Sequence, residues 1–160
     1  MGQQHAEAAE VRRHMWKKMA KSPFVMVELM GSEDHAEPMT AILDPDADGE
    51  FWFYTRRQNR IAGGGRAMVH YAAKDHALFA CIRGTLARET DPAVIDRYWS
   101  NMVEAWFEGG RNDPDLVMLR FTLDDAEIWE GDLSIGGKFK LLTGMKIHPQ
   151  QAGRHVETAL

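Results

Sequence analysis

Short apolar segments separated by polar turns make up most of this chain of 160 residues. The segments are rich in aromatic and β-branched residues, and several alternate apolar with polar positions, as β-strands with one buried face do. Clusters of Asp, Pro and Gly lie between them, and the clearest is Asp44–Gly49, which predicts a hairpin turn. The pattern predicts six or seven strands, at residues 24–30, 36–43, 51–55, 66–73, 77–89, 116–123 and 126–130.

Two segments follow the helical period instead. In residues 3–21, Val11, Met15 and Met19 recur at four-residue spacing and form one apolar stripe. A second helix is predicted at about residues 91–108, which begin with Asp-Pro, a favourable pair at the N-cap and the first helical position. Its apolar residues also recur every four positions, so this helix is expected to bury a stripe in the core.

These elements predict a mainly β (α+β) fold, since many short strands with few helices are typical of a barrel or a sandwich. The chain length is that of a single domain spanning residues 1–160. We divide it into an N-terminal helix at 1–21, a strand region at 22–132 and a C-terminal extension at 133–160. The extension is expected to hold one helical turn near residues 138–143 and to be loose over its last ten residues.

Charge and composition exclude several classes of function. The net charge of −5 and the pI near 5.8 predict no general attraction to nucleic acid or to an anionic membrane. No apolar run approaches the roughly 20 residues that cross a bilayer. No apolar signal segment follows the first residue, so the cytoplasm is the expected compartment.

The cysteine and histidine residues do not indicate a disulfide, a reactive thiol or a metal site. The single cysteine, Cys81, excludes an intrachain disulfide. It lies in the middle of a predicted strand, where we expect a buried and inert thiol. The seven histidines show no metal-binding spacing, so no dedicated metal site is expected.

Residues 51–60 are the strongest candidate for chemistry. Phe51 through Thr55 predict a strand buried on both faces, and a polar, cationic run, RRQNR, follows directly. Arginine binds phosphate oxygens through two parallel hydrogen bonds, and the side chains of Thr55 and Asn59 would add neutral ones. The segment therefore indicates a phosphate site or, alternatively, an ordinary core strand followed by a solvated basic turn.

Phe53-Tyr54-Thr55 followed by Asn59-Arg60 resembles the flavin-phosphate strand of the pyridoxamine-phosphate-oxidase-like split barrels, in which F-Y-T precedes S-R-K after a short gap. The resemblance extends over most of the chain and is strongest to the general stress protein branch of small bacterial proteins. Each matching segment is short, but their order and spacing together identify the family. The other matching segments are Pro38–Ala41, Gly84–Thr85, Ala105–Phe107 with Gly109–Gly110 and Asp113–Pro114, and Ala126–Trp129.

The resemblance implies an FMN-binding split β-barrel that forms a homodimer, with the flavin at the subunit interface. FMN is the implied cofactor, and FAD is an alternative that the sequence leaves open. For Trp129, which matches a tryptophan reaching the flavin from the partner chain, the alternative is an ordinary core position. The implied cofactor positions are Met39, Thr40 and Ala41 beneath the isoalloxazine ring, Phe53, Tyr54, Thr55, Asn59 and Arg60 in the flavin-phosphate segment, and Trp129.

Two positions depart from the family pattern near the implied phosphate. The lysine after the arginine is Ile61 here, and the arginine that leads the ring-side strand is Glu37. Losing one cation beside a phosphate costs about 1–3 kcal/mol, and Arg56, Arg57 or Lys74 could replace it. The sequence leaves open whether flavin binding survives both departures.

The resemblance implies a general-stress-type flavoprotein and leaves its activity open. A flavin-dependent oxidoreductase of unknown substrate is one interpretation, and a non-catalytic flavin-binding or flavin-storage protein is the other. A barrel that has lost flavin and binds another small ligand or a haem is a third. A true pyridoxamine phosphate oxidase is not expected, because its substrate-binding segment with arginine and histidine is replaced by Asp132–Gly137, which has neither residue. No general acid or base is evident, so no catalytic residue is assigned.

Overall fold

The computed structural model describes residues 2–131 and 153–160 of the chain. Antiparallel strands dominate it, with one long helix at the N-terminal end and short helices between the last long strands. The elements in chain order are α1 (Gly2–Lys21), β1 (Phe24–Leu29), β2 (Glu37–Thr40), β3 (Ile42–Asp44), β4 (Ala47–Arg56), β5 (Gly65–Ala72), β6 (Leu78–Arg88), α2 (Pro92–Arg97), α3 (Asn101–Glu104), a 3₁₀ turn (Gly110–Asn112), β7 (Leu116–Gly131) and β8 (Gly153–Ala159).

The strands of the described residues form one eight-stranded sheet in the order β2-β1-β5-β6-β7-β4-β3, and β8 pairs with β7 beside this path. The sheet curls until β2 also contacts β4, so alternate residues of each strand face a common interior. The predicted mainly β fold is confirmed. The largest fully buried side chains of this interior include Phe51, Phe53, Leu78, Ile82, Leu86, Leu119, Phe121 and Ile128.

Helix α1 covers the open side of the curled sheet. Val11, Met15 and Met19 have no exposed surface and pack into the barrel core, which confirms the predicted stripe. Trp16 lies beside them, and its ring meets that of Phe51 edge to face with centroids 6.1 Å apart. Each such buried side chain contributes about 1.5–3 kcal/mol of hydrophobic stabilisation. Neither α1 nor another described helix is long and apolar enough to span a bilayer.

Strand β4 is buried on both faces, as its sequence predicts. The side chains of Phe51 and Phe53 face the interior, where their rings meet edge to face with centroids 5.5 Å apart. Trp52 and Tyr54 face the other way, towards α2, and the ring of Trp52 stacks on that of Tyr98 at 4.8 Å. Because side chains on both faces are packed, the end of β4 and the start of the polar loop after it are held in place.

The strand predicted at residues 36–43 is interrupted at Ala41. The amide of Ala41 donates to the carbonyl oxygen of Pro23 at 2.8 Å. This bond continues the register in which Phe24 pairs with Thr40, but Pro23 has no amide hydrogen to return it. The pairing with β1 therefore ends here, and Ile42 pairs with Trp52 of β4 instead. The hairpin predicted at the following turn is confirmed, because β3 and β4 pair antiparallel on either side of it.

The two strands predicted on either side of the Asp124-Asp125 pair form one continuous strand, β7. The register of β6 against β7 shifts between Arg83 and Gly84, where Asp124 is the extra residue of a β-bulge. Asp is depleted in strands, so two consecutive acidic residues predict a break here, and pairing with β6 shows that the strand continues.

The single helix predicted at residues 91–108 is wrong, since the structure has two short helices there, α2 and α3. The hydroxyl of Ser100 accepts a hydrogen bond from the amide of Val103 at 3.3 Å and caps α3. This cap breaks the four-residue repeat. Side chains expected in the core lie at the surface instead, with Met102 exposed by 79% and Trp106 by 75%.

The last residues of the chain form strand β8, so the prediction that they are loose is wrong. Strand β8 pairs with residues 125–131 of β7 along its whole length. Arg154 of β8 also joins Glu10 of α1 at 3.0 Å and pairs with Glu130 of β7. Ladder hydrogen bonds and ion pairs to two elements outweigh the entropy of a free end. The helical turn predicted near residues 138–143 lies outside the described residues.

Candidate functional site

The loop after β4 lies against strand β2 and the turn before it. The Nε of Arg60 is 2.6 Å from the Oε1 of Glu37, and the guanidinium also donates to the carbonyl oxygen of His35 at 3.0 Å. The side-chain amide of Asn59 donates to the Sδ of Met39 at 3.9 Å. The phosphate-side and ring-side segments implied by the sequence are therefore neighbours in the fold.

Asn59 shapes this loop through its own side chain. Its Oδ1 accepts from the amide of Ile61 at 3.0 Å, and its carbonyl oxygen accepts from the amide of Ala62 at 2.9 Å. Ile61 is 1% exposed and belongs to the core. The position that carries a lysine in the family pattern therefore anchors the loop to the barrel and supplies no charge.

The three residues at the end of β4 have different surroundings. Phe53 lies wholly in the core, and the hydroxyl of Tyr54 donates to the carbonyl oxygen of Ile95 at 2.6 Å, on the side of α2. Burial raises the pKa of Tyr54 to about 12, so the hydroxyl stays a neutral donor. Phe53 and Tyr54 hold the strand in place. Thr55 is 7% exposed at the strand end, which makes its hydroxyl the candidate ligand contact of the three.

The other two arginines of the cationic run face the segment after α3. Arg56 donates to the carbonyl oxygen of Trp106, and its guanidinium carbon lies 5.4 Å from the ring centroid of Phe107. Arg57 donates to the carbonyl oxygen of Pro114 at 2.5 Å. Both guanidinium groups therefore face the segment after α3, whereas Arg60 faces β2.

Arg60 and Glu37 form a neutral pair at the candidate phosphate site. Their side chains are 40% and 23% exposed, so both are open to a ligand. Lys74, the remaining candidate for a compensating cation, lies in the turn between β5 and β6. Guanidinium, hydroxyl and amide groups such as those of Arg60, Thr55 and Asn59 all donate to phosphate oxygens, and a phosphate that binds the guanidinium must displace Glu37.

An apolar groove of about 470 Å³ runs across the outer face of the sheet. It is lined by Phe24, Ala72, Phe79 and Trp129 of four strands, with Ala72 paired to Phe79 and Phe79 to Trp129. Phe24 is exposed by 66% and Phe79 by 45%. A cluster of exposed aromatic side chains is typical of a surface that contacts another molecule.

Trp129 lies at one end of this groove, so its alternative assignment as a core residue is wrong. It is 39% exposed and stacks on His155 of β8, with ring centroids 5.2 Å apart. The Nε2 of His155 is in turn 2.8 Å from the Oε1 of Glu127. Pro38 of β2, the residue before Met39, lines the same groove.

A carboxylate, an imidazole and a thiol also lie in line on this face. The Nδ1 of His70 is 3.3 Å from the Sγ of Cys81, and its Nε2 is 3.0 Å from the Oε1 of Glu28. Sequence spacing does not connect these residues, because they belong to three strands and meet only through the pairing register. Burial raises the pKa of Cys81, and the charges of Glu127 and Glu28 raise it further. The thiol is therefore protonated and weakly nucleophilic at neutral pH, although it is only half-buried.

Three further side chains approach one another on β7 and β8. The ligand atoms of Glu127, His155 and Glu157 all lie within 4.8 Å of each other. The sequence gives no sign of this group, because its members come from two strands. The hydrogen bond between His155 and Glu127 accounts for their closeness, and exposed acidic groups often gather without a metal. We assign no metal to this group.

A curled antiparallel sheet covered by an N-terminal helix, with a phosphate-type loop at the end of its most buried strand, defines a split β-barrel. Residues 10–151 match the model of the family described as pyridoxamine 5'-phosphate oxidase like. The chain belongs to this family, as the resemblance of its short motifs predicts. Among curated proteins, none matches the chain significantly.

Solved structures from several bacteria have the same fold. The crystal structure of the general stress FMN/FAD binding protein from Xanthomonas citri has 41% sequence identity and a TM-score of 0.74, covering 79% of this chain and 93% of that one. A protein assigned to the general stress family of Xanthomonas campestris pv. campestris has 42% identity and a TM-score of 0.72, covering 79% and 91%. A protein assigned as general stress protein 26 from Jannaschia sp. CCS1 has 25% identity and a TM-score of 0.77, covering 95% and 99%.

Proposed function

We propose that this chain is an FMN-binding flavoprotein of the general stress type. The observation that carries the proposal is the meeting of the loop after β4 with β2, through Arg60 with Glu37 and Asn59 with Met39. The Xanthomonas citri relative is an FMN/FAD binding protein, and the same two segments of this chain match the flavin-binding segments of the family. FAD is the alternative form of the cofactor.

The proposed site divides the flavin between two segments of one chain. Arg60, Thr55 and Asn59 would hold the phosphate through one charged and two neutral donors. The backbone of residues 39–41 would lie beneath the isoalloxazine ring. When bound, the flavin supplies the electron-transfer chemistry, and the side chains of the protein bind and orient it.

The proposed assembly is a homodimer in which each flavin lies between two subunits. Trp129 is 39% exposed on the outer face and matches the family tryptophan that reaches the flavin from the partner chain, so we assign its flavin contact to a second copy. The exposed aromatic residues Phe24 and Phe79 beside it give a surface that an apolar interface would cover. An obligate interface of this kind buries more than about 2,000 Å².

Oxidoreductase activity is the proposed use of the bound flavin, with a substrate that the site does not specify. The competing function is flavin binding or storage without turnover, which needs the same contacts. We propose that the protein does not oxidise pyridoxine phosphate or pyridoxamine phosphate. The residues after Trp129, Asp132–Gly137, carry one acid and no cation for a second phosphate. The cytoplasm is the proposed compartment.

Purification tests the central proposal directly. The protein should be yellow, with one FMN or FAD released per chain on denaturation and identified by chromatography. Sedimentation at micromolar concentration should give a dimer, and a monomer would contradict both the assembly and the shared site. A colourless protein that takes up no added flavin would favour the barrel that has lost its flavin. Turnover with a reduced nicotinamide distinguishes an oxidoreductase from a flavin store.

Either B6 phosphate, incubated with the flavin-loaded protein and oxygen, should yield no pyridoxal phosphate. Steady turnover on the usual enzyme scale of about 1–10³ per second would identify a true oxidase and contradict this part of the proposal.

A further inference from the structure

Glu37 forms an ion pair with Arg60, the cation proposed to bind the flavin phosphate. Its Oε1 lies 2.6 Å from the Nε of Arg60, and the two side chains are 23% and 40% exposed. The carbonyl oxygen of His35 accepts a second hydrogen bond from the same guanidinium at 3.0 Å. Two acceptors, one in β2 and one in the turn before it, therefore already bind donor groups of Arg60.

The Arg60–Glu37 pair sets the net charge at the position proposed for the phosphate. The cations of Arg56 and Arg57 face the segment after α3, and the loop position next to Arg60 is the buried Ile61. Arg60 with Glu37 thus contributes no net charge where the phosphate would lie. The phosphate of FMN carries about −1.5 to −2 charges at neutral pH.

We propose that Glu37 is a specificity-determining residue that competes with the flavin phosphate for Arg60 and weakens the preference of the site for a doubly charged terminal phosphate. This inference rests on the proposed flavin site. Binding of FMN must separate the Arg60–Glu37 ion pair and place a dianion beside the freed carboxylate. Riboflavin has no phosphate and leaves the pair intact, so the native chain binds FMN and riboflavin with similar affinities.

The competition has a simple electrostatic origin. A carboxylate next to an anion destabilises it, and a guanidinium shared between the two binds each less strongly than it would bind one alone. Removing the charge of Glu37 while keeping its shape should therefore free Arg60 for phosphate without changing the segment beneath the ring.

The test is the substitution Glu37→Gln, with flavin affinity measured by fluorescence quenching as flavin-free protein is titrated into FMN or riboflavin. The variant should bind FMN roughly tenfold more tightly than the native chain does, with riboflavin affinity changed less than about twofold. Glu33→Gln removes an exposed charge from the turn before β2 and serves as the matched control, for which neither affinity should change. Thermal unfolding of each variant checks that the fold is retained.

The outcomes separate this inference from the proposed function. Unchanged FMN affinity in Glu37→Gln, or an equal gain for both flavins, would overturn the role of Glu37 while leaving flavin binding in place. A native FMN affinity more than a hundredfold above that of riboflavin would overturn it as well. Failure of native protein and variants to bind either flavin would overturn the proposed function itself, and this inference with it.

Discussion

Arg60 combines an exposed cation with a backbone that the loop holds in place. Its neighbour Ile61 is buried in the core, and the side chain of Asn59 accepts a hydrogen bond from the Ile61 amide within the loop. The guanidinium is 40% exposed and is held by an ion pair with Glu37 and a hydrogen bond to the carbonyl oxygen of His35. A charge of this kind can exchange partners without a change in the fold, which is what recognition of a phosphate requires.

Replacing Arg60 should therefore affect a ligand with a phosphate more than one without. Arg60→Ala should weaken FMN binding about ten- to a hundred-fold, corresponding to about 1.5–3 kcal/mol, because a charged hydrogen-bond donor is lost and Glu37 is left without its partner. Riboflavin binding should change only slightly. Titration of flavin fluorescence with flavin-free protein measures both.

Arg57→Ala is the control for this substitution, since Arg57 contacts the carbonyl oxygen of Pro114. It should leave the ratio of FMN to riboflavin affinity unchanged. Equal weakening of both flavins by Arg60→Ala would show that Arg60 supports the loop and does not bind phosphate.

The thiol of Cys81 should react slowly with iodoacetamide in the folded protein. Burial and the charges of Glu127 and Glu28 raise its pKa, so at any given pH a smaller fraction is thiolate than in a free cysteine. Alkylation should therefore become fast only at a higher pH than for a free thiol. The chain has a single cysteine, so the mass of the adduct reports this position alone.

Protein unfolded in urea provides the reference rate for Cys81, and Glu127→Gln provides a matched variant. Removing the charge of Glu127 should speed alkylation in the folded state. If the folded protein reacts as fast as the unfolded one, the structure does not protect the thiol as described.

At the scale of elements, helix α1 and strand β8 stabilise one another across the ends of the described chain. The guanidinium of Arg12 donates to the carbonyl oxygen of Ala159 at 2.8 Å, and Arg154 links Glu10 to Glu130. The hydrogen bond and the charge of Arg154 lower the pKa of Glu10. Strand β8 also covers the edge of β7, which would otherwise expose unpaired backbone groups.

The bulge between β6 and β7 depends on the absence of a side chain at Gly84. A Cβ there would press against the carbonyl oxygen of Thr122 and lie 2.7 Å from the ring of Phe121, which is itself buried. Gly84→Ala should lower the free energy of unfolding by about 1–3 kcal/mol, because backbone and core ring must both move. Urea unfolding followed by circular dichroism measures the change.

Gly49→Ala is the matched control, since a Cβ at Gly49 meets no atom within 4 Å. Its unfolding midpoint should stay close to that of the native chain. Equal midpoints for both variants would mean that the strands accommodate a Cβ at Gly84 without loss of stability.

On the scale of the whole molecule, the curled sheet has a closed interior and an exposed apolar outer face. The interior is filled by aromatic and aliphatic side chains and covered by α1. The outer face carries Phe24, Phe79 and Trp129, and the α3 segment adds Met102 and Trp106 as exposed apolar residues. Burying this exposed apolar surface against a second copy is favourable, so we expect the proposed homodimer to be obligate.

Alkaline titration tests how completely the fold encloses its three tyrosines. Burial raises the pKa of Tyr54 and of Tyr98 to about 12 each and also raises that of Tyr71. At Tyr98 a hydrogen bond to Asp44 adds to the effect. Because these folded pKa values lie above the unfolded value of about 10, the stability that they contribute is fully present below about pH 10. It is lost as the pH rises towards 12.

Ultraviolet difference spectra should therefore show little tyrosinate in the native protein at about pH 10, where exposed tyrosines are half ionised. Its appearance at higher pH should coincide with unfolding. Protein in urea is the control and should titrate near the ordinary value. Substantial tyrosinate in a still folded protein at pH 10 would show that these hydroxyl groups reach solvent.

Much of the fold follows from local sequence patterns. Helix α1 is predicted correctly because its apolar residues recur at helical spacing, and strand β4 because residues 51–55 are a continuous aromatic and β-branched run. The burial of Met15 and Phe51 is the direct consequence. The helix at residues 91–108 is mispredicted because its four-residue repeat continues through Ser100, whose side chain caps a new helix. A cap and a periodic stripe then favour different structures, and the sequence alone does not show which is more stable.

The sequence by itself determined helix α1, the aromatic strand before the polar loop and the chemical character of that loop, because these depend on residues adjacent in the chain. Only the tertiary structure decided that Glu37 meets Arg60, that Asp124 lies in a bulge and that Trp129 lies on the outer face. Each of these features depends on which strands pair and in what register. Pairing is set by the free energy of the whole barrel, which no local segment contains.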